Sequence, residues 1–291
     1  MQPLKIVFII NPVSGNGHKK PGADFISKFF DSTYKISFVE STKSGHASEL
    51  ASEAMTTGAD AVIAIGGDGT VNEIAKSLNG TRCALGIIPC GSGNGLARHH
   101  EIPFDVSAAL DVIKRFNVIE HDSVSINGKL SFNVSGIGFD AHVAHLFGKN
   151  GKRGFSSYLK LVIQEFSGYN EQEIKITTSE GVIRQPVMLA AIANASQFGN
   201  NARISPLSDT HDGISNITLI RKMNALQLPL FMFNVFTRKV GKSSYANLLR
   251  GEKFLIESEK ELPLHIDGEP AGFGKRFEIE TLKASLRIIL P

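Results

Sequence analysis

The sequence predicts a two-part chain, in which a parallel α/β region with helices on both faces of its sheet is followed by an antiparallel all-β region. Up to about Glu120, apolar β-branched runs alternate with helical patterns, the order of a parallel sheet covered on both sides. From His121 the pattern changes to short strand signals separated by tight turns. With 291 residues and 42% hydrophobic content, the chain has room for about two domains of ~100–200 residues and for a core in each.

The elements follow in order. Strands are expected around Ile6–Ile10, Lys35–Glu40, Ala61–Ile65 and Ala84–Ile88, where Val and Ile accumulate between turn residues. Helices are expected near Ala23–Phe30, Ala47–Met55, Val71–Leu78 and Ser107–Phe116, where apolar residues recur at helical spacing. Together these describe a Rossmann-like domain over residues 1–120. Beyond it, DSVSINGKLSFNVS carries Asn127-Gly128 at a hairpin tip, and EIKITTSEG, PVMLAAIANA and SNITLIRK read as further strands. A helix at Ser156–Phe166 interrupts this antiparallel domain, residues 121–283, and the junction near 118–123 is expected to be a close-packed hinge.

Three strands of the first region run into polar, glycine-rich loops: LKIVFIINPVSGNG, IAIGGDGTVNE and ALGIIPCGSGNG. In a parallel sheet such loops emerge at the carboxyl edge, where open α/β folds bind ligands. Gly66, Gly67 and Gly69 are expected to let successive backbone N–H groups face a polyphosphate. Asp68 among them points to chemistry on a nucleotide, since a carboxylate beside phosphate is repulsive unless a metal, its water or a reacting proton intervenes. A purely steric strand-to-helix turn is the plain alternative. None of the loops is a Walker A sequence or a GxGxxG fingerprint.

NPVSG, GGDGTVNE, GIIPCGSGN and HIDGEP, in this order and spacing, resemble the diacylglycerol kinase and sphingosine kinase catalytic family, most of all its soluble bacterial lipid kinase branch. The GGDGT turn alone is shared with NAD kinases. The resemblance spans nearly the whole chain and implies a nucleotide-binding α/β domain, a C-terminal antiparallel β-sandwich, and a last segment, about 284–291, that returns to the first domain. It implies ATP as co-substrate and Mg2+ bridging its phosphates. On the nucleotide side it implies Asn11 and Ser14, Thr42, the turn Gly66, Gly67, Asp68, Gly69, Thr70, Val71 and Asn72, and Ser92 with Asn94. Glu73 is expected to meet the ribose or to cap the helix after the turn. His46 is expected to pack against these loops.

HIDGEP places Asp267 and Glu269 two residues apart, so an extended strand would turn both carboxylates to one side. A charged hairpin tip between LPLHI and AGFG is the other reading of the same residues. The resemblance assigns Glu269 as the proton acceptor of the lipid hydroxyl, with Asp267 as a catalytic neighbour. It also implies a magnesium site on Asp212 with the carbonyls of Asp209 and Ile214, although His211 stands where the family has a second aspartate; a simple acidic turn is the alternative. Because the phosphate loops and Glu269 fall in different domains, the resemblance implies reaction on domain closure.

A net charge of +3 gives no argument for nucleic acid and suits an anionic membrane surface. Cys83 and Cys90 flank the short strand ALGIIP, which holds them apart, and both are expected to be buried thiols in a reducing compartment. The opening IVFII run is too short for a signal peptide, so a cytoplasmic protein, peripheral at the inner membrane face, is expected. The longest apolar stretch, Leu226–Phe236, falls short of a span of ~20 residues and reads as a helix covering the second domain, or as a one-sided lipid contact. Arg98 and the loop GKNGKRG, with Lys149, Lys152 and Arg153, are candidates to face lipid phosphates or a membrane, or simply solvent. No transmembrane segment is expected, the partner is a lipid substrate at a membrane surface, and a homodimer is an allowed assembly. His142 and His145 find no third ligand, so no zinc site is expected.

The acceptor is the least legible feature. GSGN resembles sphingosine kinases, but His142 stands where their headgroup-recognising aspartate would align, which favours a diacylglycerol-like or phospholipid hydroxyl. An NAD kinase-like phosphotransferase and a non-catalytic nucleotide-sensing module are the competing readings.

Overall fold

A computed structural model describes residues 2–15, 21–149 and 155–291. The chain divides into two compact units, Met1–His121 with Ala284–Pro291, and Asp122–Lys283.

Unit 1 runs β1 (Leu4–Ile10), α1 (Ala23–Ser27), β2 (Tyr34–Glu40), α2 (His46–Thr56), β3 (Ala61–Gly66), α3 (Asp68–Leu78), β4 (Ala84–Pro89), α4 (Gly95–His99) and α5 (Val106–Arg115). The strands pair in parallel in the order β4-β3-β1-β2, with Ile6 opposite both Ile36 and Ala61, and Ile63 opposite Gly86. The central strands β3 and β4 are buried at every residue, the continuous apolar run expected of a parallel strand covered on both faces. Ala61, Ile63 and Ile65 pack with Ile26 of α1 and Leu110 and Ile113 of α5. Val62 and Ala64 are equally buried and point the opposite way, to the face carrying α2 and α3. The chain's last residues join this sheet: Arg287 and Ile288 lie parallel to Ala84 and Leu85, after a break marked by Ala284 at φ 49°.

Two helices differ from expectation. The first ends at Ser27, not Phe30, because its last turn tightens through a Phe29 N–H to Ile26 carbonyl bond and Phe30 turns in against Phe8 and Tyr34. The helix expected from Val71 begins at Asp68, so the glycine turn is itself the first turn of α3.

β5 (Val118–Ile126) begins in unit 1 and ends in unit 2, one continuous strand across the residues expected to form a hinge. Then come β6 (Lys129–Ser131), β7 (Val134–Gly138), α6 (Phe139–Lys149), α7 (Phe155–Phe166), β8 (Gln172–Thr178), β9 (Gly181–Val187), β10 (Leu189–Ala193), β11 (Ser215–Ile220), α8 (Leu228–Phe236), β12 (Ala246–Gly251), β13 (Lys253–Ile266) and β14 (Glu269–Ile289). Asn127 and Gly128, at φ 49° and 78°, form the two-residue tip between β5 and β6, where both positions of a type I′ turn need positive φ.

The long strand β13 joins the two layers of an antiparallel sandwich. Its first half pairs with β8 and its second with β7, with an irregular register between Glu257 and Leu262. Val124, Ile137, Ile176, Ile192, Phe254 and Phe277 fill the space between the layers. Ala191 and Ala193 of β10 face outward, where Val143 of α6, Phe166 of α7 and Phe231 and Val235 of α8 cover them. Of these helices α7 and α8 were both expected, and α6 is the addition to the strand-dominated pattern.

Candidate functional site

Each sequence-predicted loop of unit 1 sits at the carboxyl end of its strand, and the loops are tied to one another. The Asp68 carboxylate accepts hydrogen bonds from the Asn94 and Gly95 N–H groups at 2.8 and 2.7 Å. It therefore satisfies the opening N–H groups of α4 and fastens the GSGN loop to the GGDG turn. Asn11 donates to Thr70 Oγ1 at 2.9 Å and accepts from the Val13 N–H, so the first loop is held to α3. Ser14 Oγ donates back to the Asn11 carbonyl.

The glycines serve this packing. A Cβ on Gly91 would lie 2.6 Å from Gly67 Cα, one on Gly93 2.7 Å from Asp68 Oδ2, and one on Gly66 2.6 Å from Thr70 Cβ. Gly15, at φ 82°, would meet the Cys90 carbonyl at 2.3 Å. Besides any part toward phosphate, Gly67 lets the Gly91 backbone approach and Gly66 makes room for the Thr70 side chain. Gly69 is exposed, and Gly67, the N-cap of α3, offers no side chain to cap the first turn. An 11-residue helix that opens on glycine, with its partial positive charge outward, fits an anionic group.

Several residues expected on the nucleotide side also make contacts within the protein. The Val71 side chain is in the core and its N–H bonds to the Gly67 carbonyl. Asn94, at φ 51°, closes its own loop, donating to the Gly91 carbonyl and accepting from the Gly91 N–H. Asn72 is buried, whereas Ser92 is exposed. The Thr42 N–H donates to His46 Nδ1 at 3.0 Å, which gives His46 the structural part expected of it. Arg98 donates to the Gly93 carbonyl and lies over the Phe104 ring. Cys83 is buried, and burial above all, with the charge of Asp60, pushes its thiol up to about 11; Cys90 is only half-buried.

Glu73 neither faces outward as a ribose ligand would nor caps its own helix. Its carboxylate accepts from the Gly45 and Ala47 N–H groups at 2.8 and 3.1 Å and so caps α2, where Gly45 at φ 82° has no capping side chain. Glu73→Ala is expected to lower unfolding stability by ~1–2 kcal/mol, read by urea titration.

In unit 2 the expected extended strand through HIDGEP is corrected. Asp267 and Gly268, at φ 48° and 88°, are the tip of the β13–β14 hairpin, and Ile266 pairs with Glu269. The Asp267 carboxylate turns inward and accepts from Ser131 Oγ and from the Phe132 and Asn133 N–H groups at 2.7–3.0 Å. Asp267 therefore anchors the turn, and Glu269, exposed on the first residue of β14, is the carboxylate it presents.

Two further residues support this tip. The Gly268 N–H donates to His265 Nδ1 at 3.1 Å, so the ring's hydrogen is on Nε2, which lies 3.2 Å from Asp140 Oδ2. Both side chains are buried, and the carboxylate fits because residue 136 is glycine: a Cβ there would be 1.9 Å from Asp140 Oδ2. Burial first, and the Asp140 charge second, push the Tyr169 phenol up to about 12. His265 stands inside HIDGEP and Asp140 two residues before His142, next to residues already singled out for other roles. The Asp-Gly pair, chemically the same turn signal as Asn127-Gly128, was the clue to their arrangement.

At the magnesium site expected on Asp212 with the carbonyls of Asp209 and Ile214, the carboxylate already has protein partners. Asp212 Oδ2 is ion-paired with Arg250 at 2.7 Å and Oδ1 accepts the Ile214 N–H, while Asp209 Oδ1 accepts from the His211 N–H. A cation at Asp212 would have to displace a guanidinium. Among the described residues no group of three or more His, Cys, Asp or Glu converges to hold a metal. His142 bonds Glu165 at 2.9 Å and His145 the Leu264 carbonyl, so these histidines point to separate partners. Lys152 and Arg153 lie outside the described residues, as does the side chain of Lys149.

Comparison with known proteins agrees with this architecture. The model of the diacylglycerol kinase catalytic domain matches residues 5–126, and that of the YegS C-terminal NAD kinase beta sandwich-like domain matches residues 133–289. A relative from Chromohalobacter salexigens named "Probable lipid kinase YegS-like" is 28% identical over 85% of this chain and 81% of its own. "Probable lipid kinase YegS" of Salmonella arizonae is 27% identical over 98% and 95%. The solved structure called "Crystal structure of a putative diacylglycerol kinase from Bacillus anthracis str. Sterne" superposes with a TM-score of 0.80 over 99% of this chain and 97% of that one; at 23% identity it speaks for the fold alone. With these two domain models spanning both units, the chain belongs to the YegS-like lipid kinase family, which joins a diacylglycerol kinase catalytic domain to an NAD kinase-like β-sandwich.

Proposed function

We propose that this kinase transfers the γ-phosphate of ATP to a hydroxyl of a diacylglycerol-like or phospholipid acceptor. The observation that carries the reading is the opening of α3: Gly67 leaves its first turn uncapped at the strand end, while Asp68 locks the neighbouring GSGN loop beside it. Phosphoryl transfer asks little covalent work of a protein and much positioning and charge neutralisation, which a rigid cradle of backbone N–H groups supplies. Mg2+ enters with ATP as part of the substrate complex. Glu269 accepts the hydroxyl proton, and Asp267, His265 and Asp140 hold the turn from which it projects. The His142–Glu165 pair already occupies its carboxylate with an imidazole, which supports an uncharged acceptor over a sphingoid ammonium.

A radiolabelled-ATP assay against a panel of lipid extracts tests this. A labelled product that partitions with glycerolipids is the expected result. The match of unit 2 to an NAD kinase-like sandwich keeps one second reading in view. ADP release with NAD but not with dispersed lipid would replace the lipid reading, and ATP binding without turnover of any hydroxylated lipid would replace both with a nucleotide sensor.

A further inference from the structure

We infer that α7 and α8 form the face by which the protein docks on an anionic membrane surface, an assignment that rests on the lipid-substrate reading and names the surface it would use. The segment Leu226–Phe236 presents two opposed stripes. Phe231 and Val235 enter the core, whereas Leu230 and Phe233 on the other side of α8, at i and i+3, are 66% and 56% exposed, and Leu226 in the turn before the helix is 91% exposed. Ile163 of α7 is exposed beside them. Between the two helices lies a groove of about 440 Å³, a ligand-sized volume, lined by Leu159, Val162, Phe166, Leu228, Met232 and Phe236 and by no charged side chain.

Charge selects the occupant. From Arg221 to Gly251 the sequence contains no Asp or Glu, and it carries six Lys and Arg. Lys222 is engaged with the Ser167 carbonyl and Arg250 with Asp212. Arg238, Lys239 and Lys242, directly after α8, are exposed. The exposed Leu and Phe of α8 lie in a stretch whose charged residues are all cationic, and the one acid of α7, Glu165, is paired with His142, a pattern that a protein partner of ordinary composition has no need of. A bilayer with anionic headgroups over an apolar interior matches both halves of the pattern, with the apolar stripe sunk to the acyl boundary and the cations at the phosphates. No described helix is long and apolar enough to cross a membrane, so the contact is one-sided.

The test is co-sedimentation of the full chain with phosphatidylcholine vesicles, with and without phosphatidylglycerol, in the absence of nucleotide. The wild-type chain is expected to partition onto the anionic vesicles. The double substitution Leu230→Glu, Phe233→Glu should reduce that partition by more than about tenfold. Replacing Arg238, Lys239 and Lys242 by serine should cost about fivefold per cation on anionic vesicles and little on neutral ones. Both variants should phosphorylate a monomeric short-chain acceptor as wild type does, which separates this proposal from the kinase assignment. A wild-type chain that stays in the supernatant, or a double variant that partitions normally, overturns it. So does a double variant that only dissociates a dimer in sedimentation equilibrium, which would make the face a contact between copies.

Discussion

Glu269→Gln is expected to lower the single-turnover rate of phosphoryl transfer by about 10²–10⁴-fold, the usual contribution of a general base, with ATP affinity nearly unchanged. The amide keeps the size and most hydrogen bonding but cannot take up the hydroxyl proton. Glu269 is exposed at the start of β14, so the substitution leaves the packing of the turn alone. Asp267→Asn tests a different quantity. Its carboxylate accepts from one hydroxyl and two N–H groups, and an amide presents a donor to one of them. A loss of ~1–3 kcal/mol in stability and a smaller loss in rate are expected. Near-normal transfer by the Glu269→Gln enzyme would remove Glu269 from the chemical step, and a deeper rate loss in Asp267→Asn would exchange the two roles.

Asp68→Asn is expected to cut transfer by at least about 100-fold and, unlike a change at an isolated ligand, to weaken the fold as well. Both carboxylate oxygens hold N–H groups of the GSGN loop, and the asparagine amide would face one of them donor to donor. The loop then loses its register beside the first turn of α3, and a misplacement of about 1 Å in a positioning site can cost about 10²-fold. Turnover and urea unfolding should fall together. A variant with normal stability and no activity would return Asp68 to a direct part in the chemistry, and one with near-wild-type turnover would make the link to α4 dispensable.

How much was legible varies with the range of the interaction concerned. The strands of unit 1 announce themselves because a parallel strand covered on both faces is apolar along its whole length, as in Ala61–Gly66 and Ala84–Pro89. The turn at Asn127-Gly128 is equally local, since only small or polar residues accept two successive positive φ values. Helix ends were less legible: whether Phe30 continues a helix or turns into the core depends on Phe8 and Tyr34, which other strands supply. The helix α6 lay hidden because apolar residues needed to cover β10 blur the polar face that marks an amphipathic helix.

The sequence by itself determined the alternation of strands and helices in unit 1, the three glycine loops at strand ends and the motif set that carries the family, because each rests on backbone preference or on spacing within a few residues. Only the tertiary structure decided what the polar side chains in those loops do. A carboxylate's role depends on which N–H groups surround it, and these come from far along the chain: Asp68 meets Asn94 and Gly95, Glu73 meets Gly45 and Ala47, and Asp267 meets residues 131–133. Three acids that read as ligands, caps or catalysts thus each fasten segments distant in sequence. A buried or half-buried carboxylate is satisfied by whatever donors the fold brings to it, and sequence spacing carries no record of that meeting.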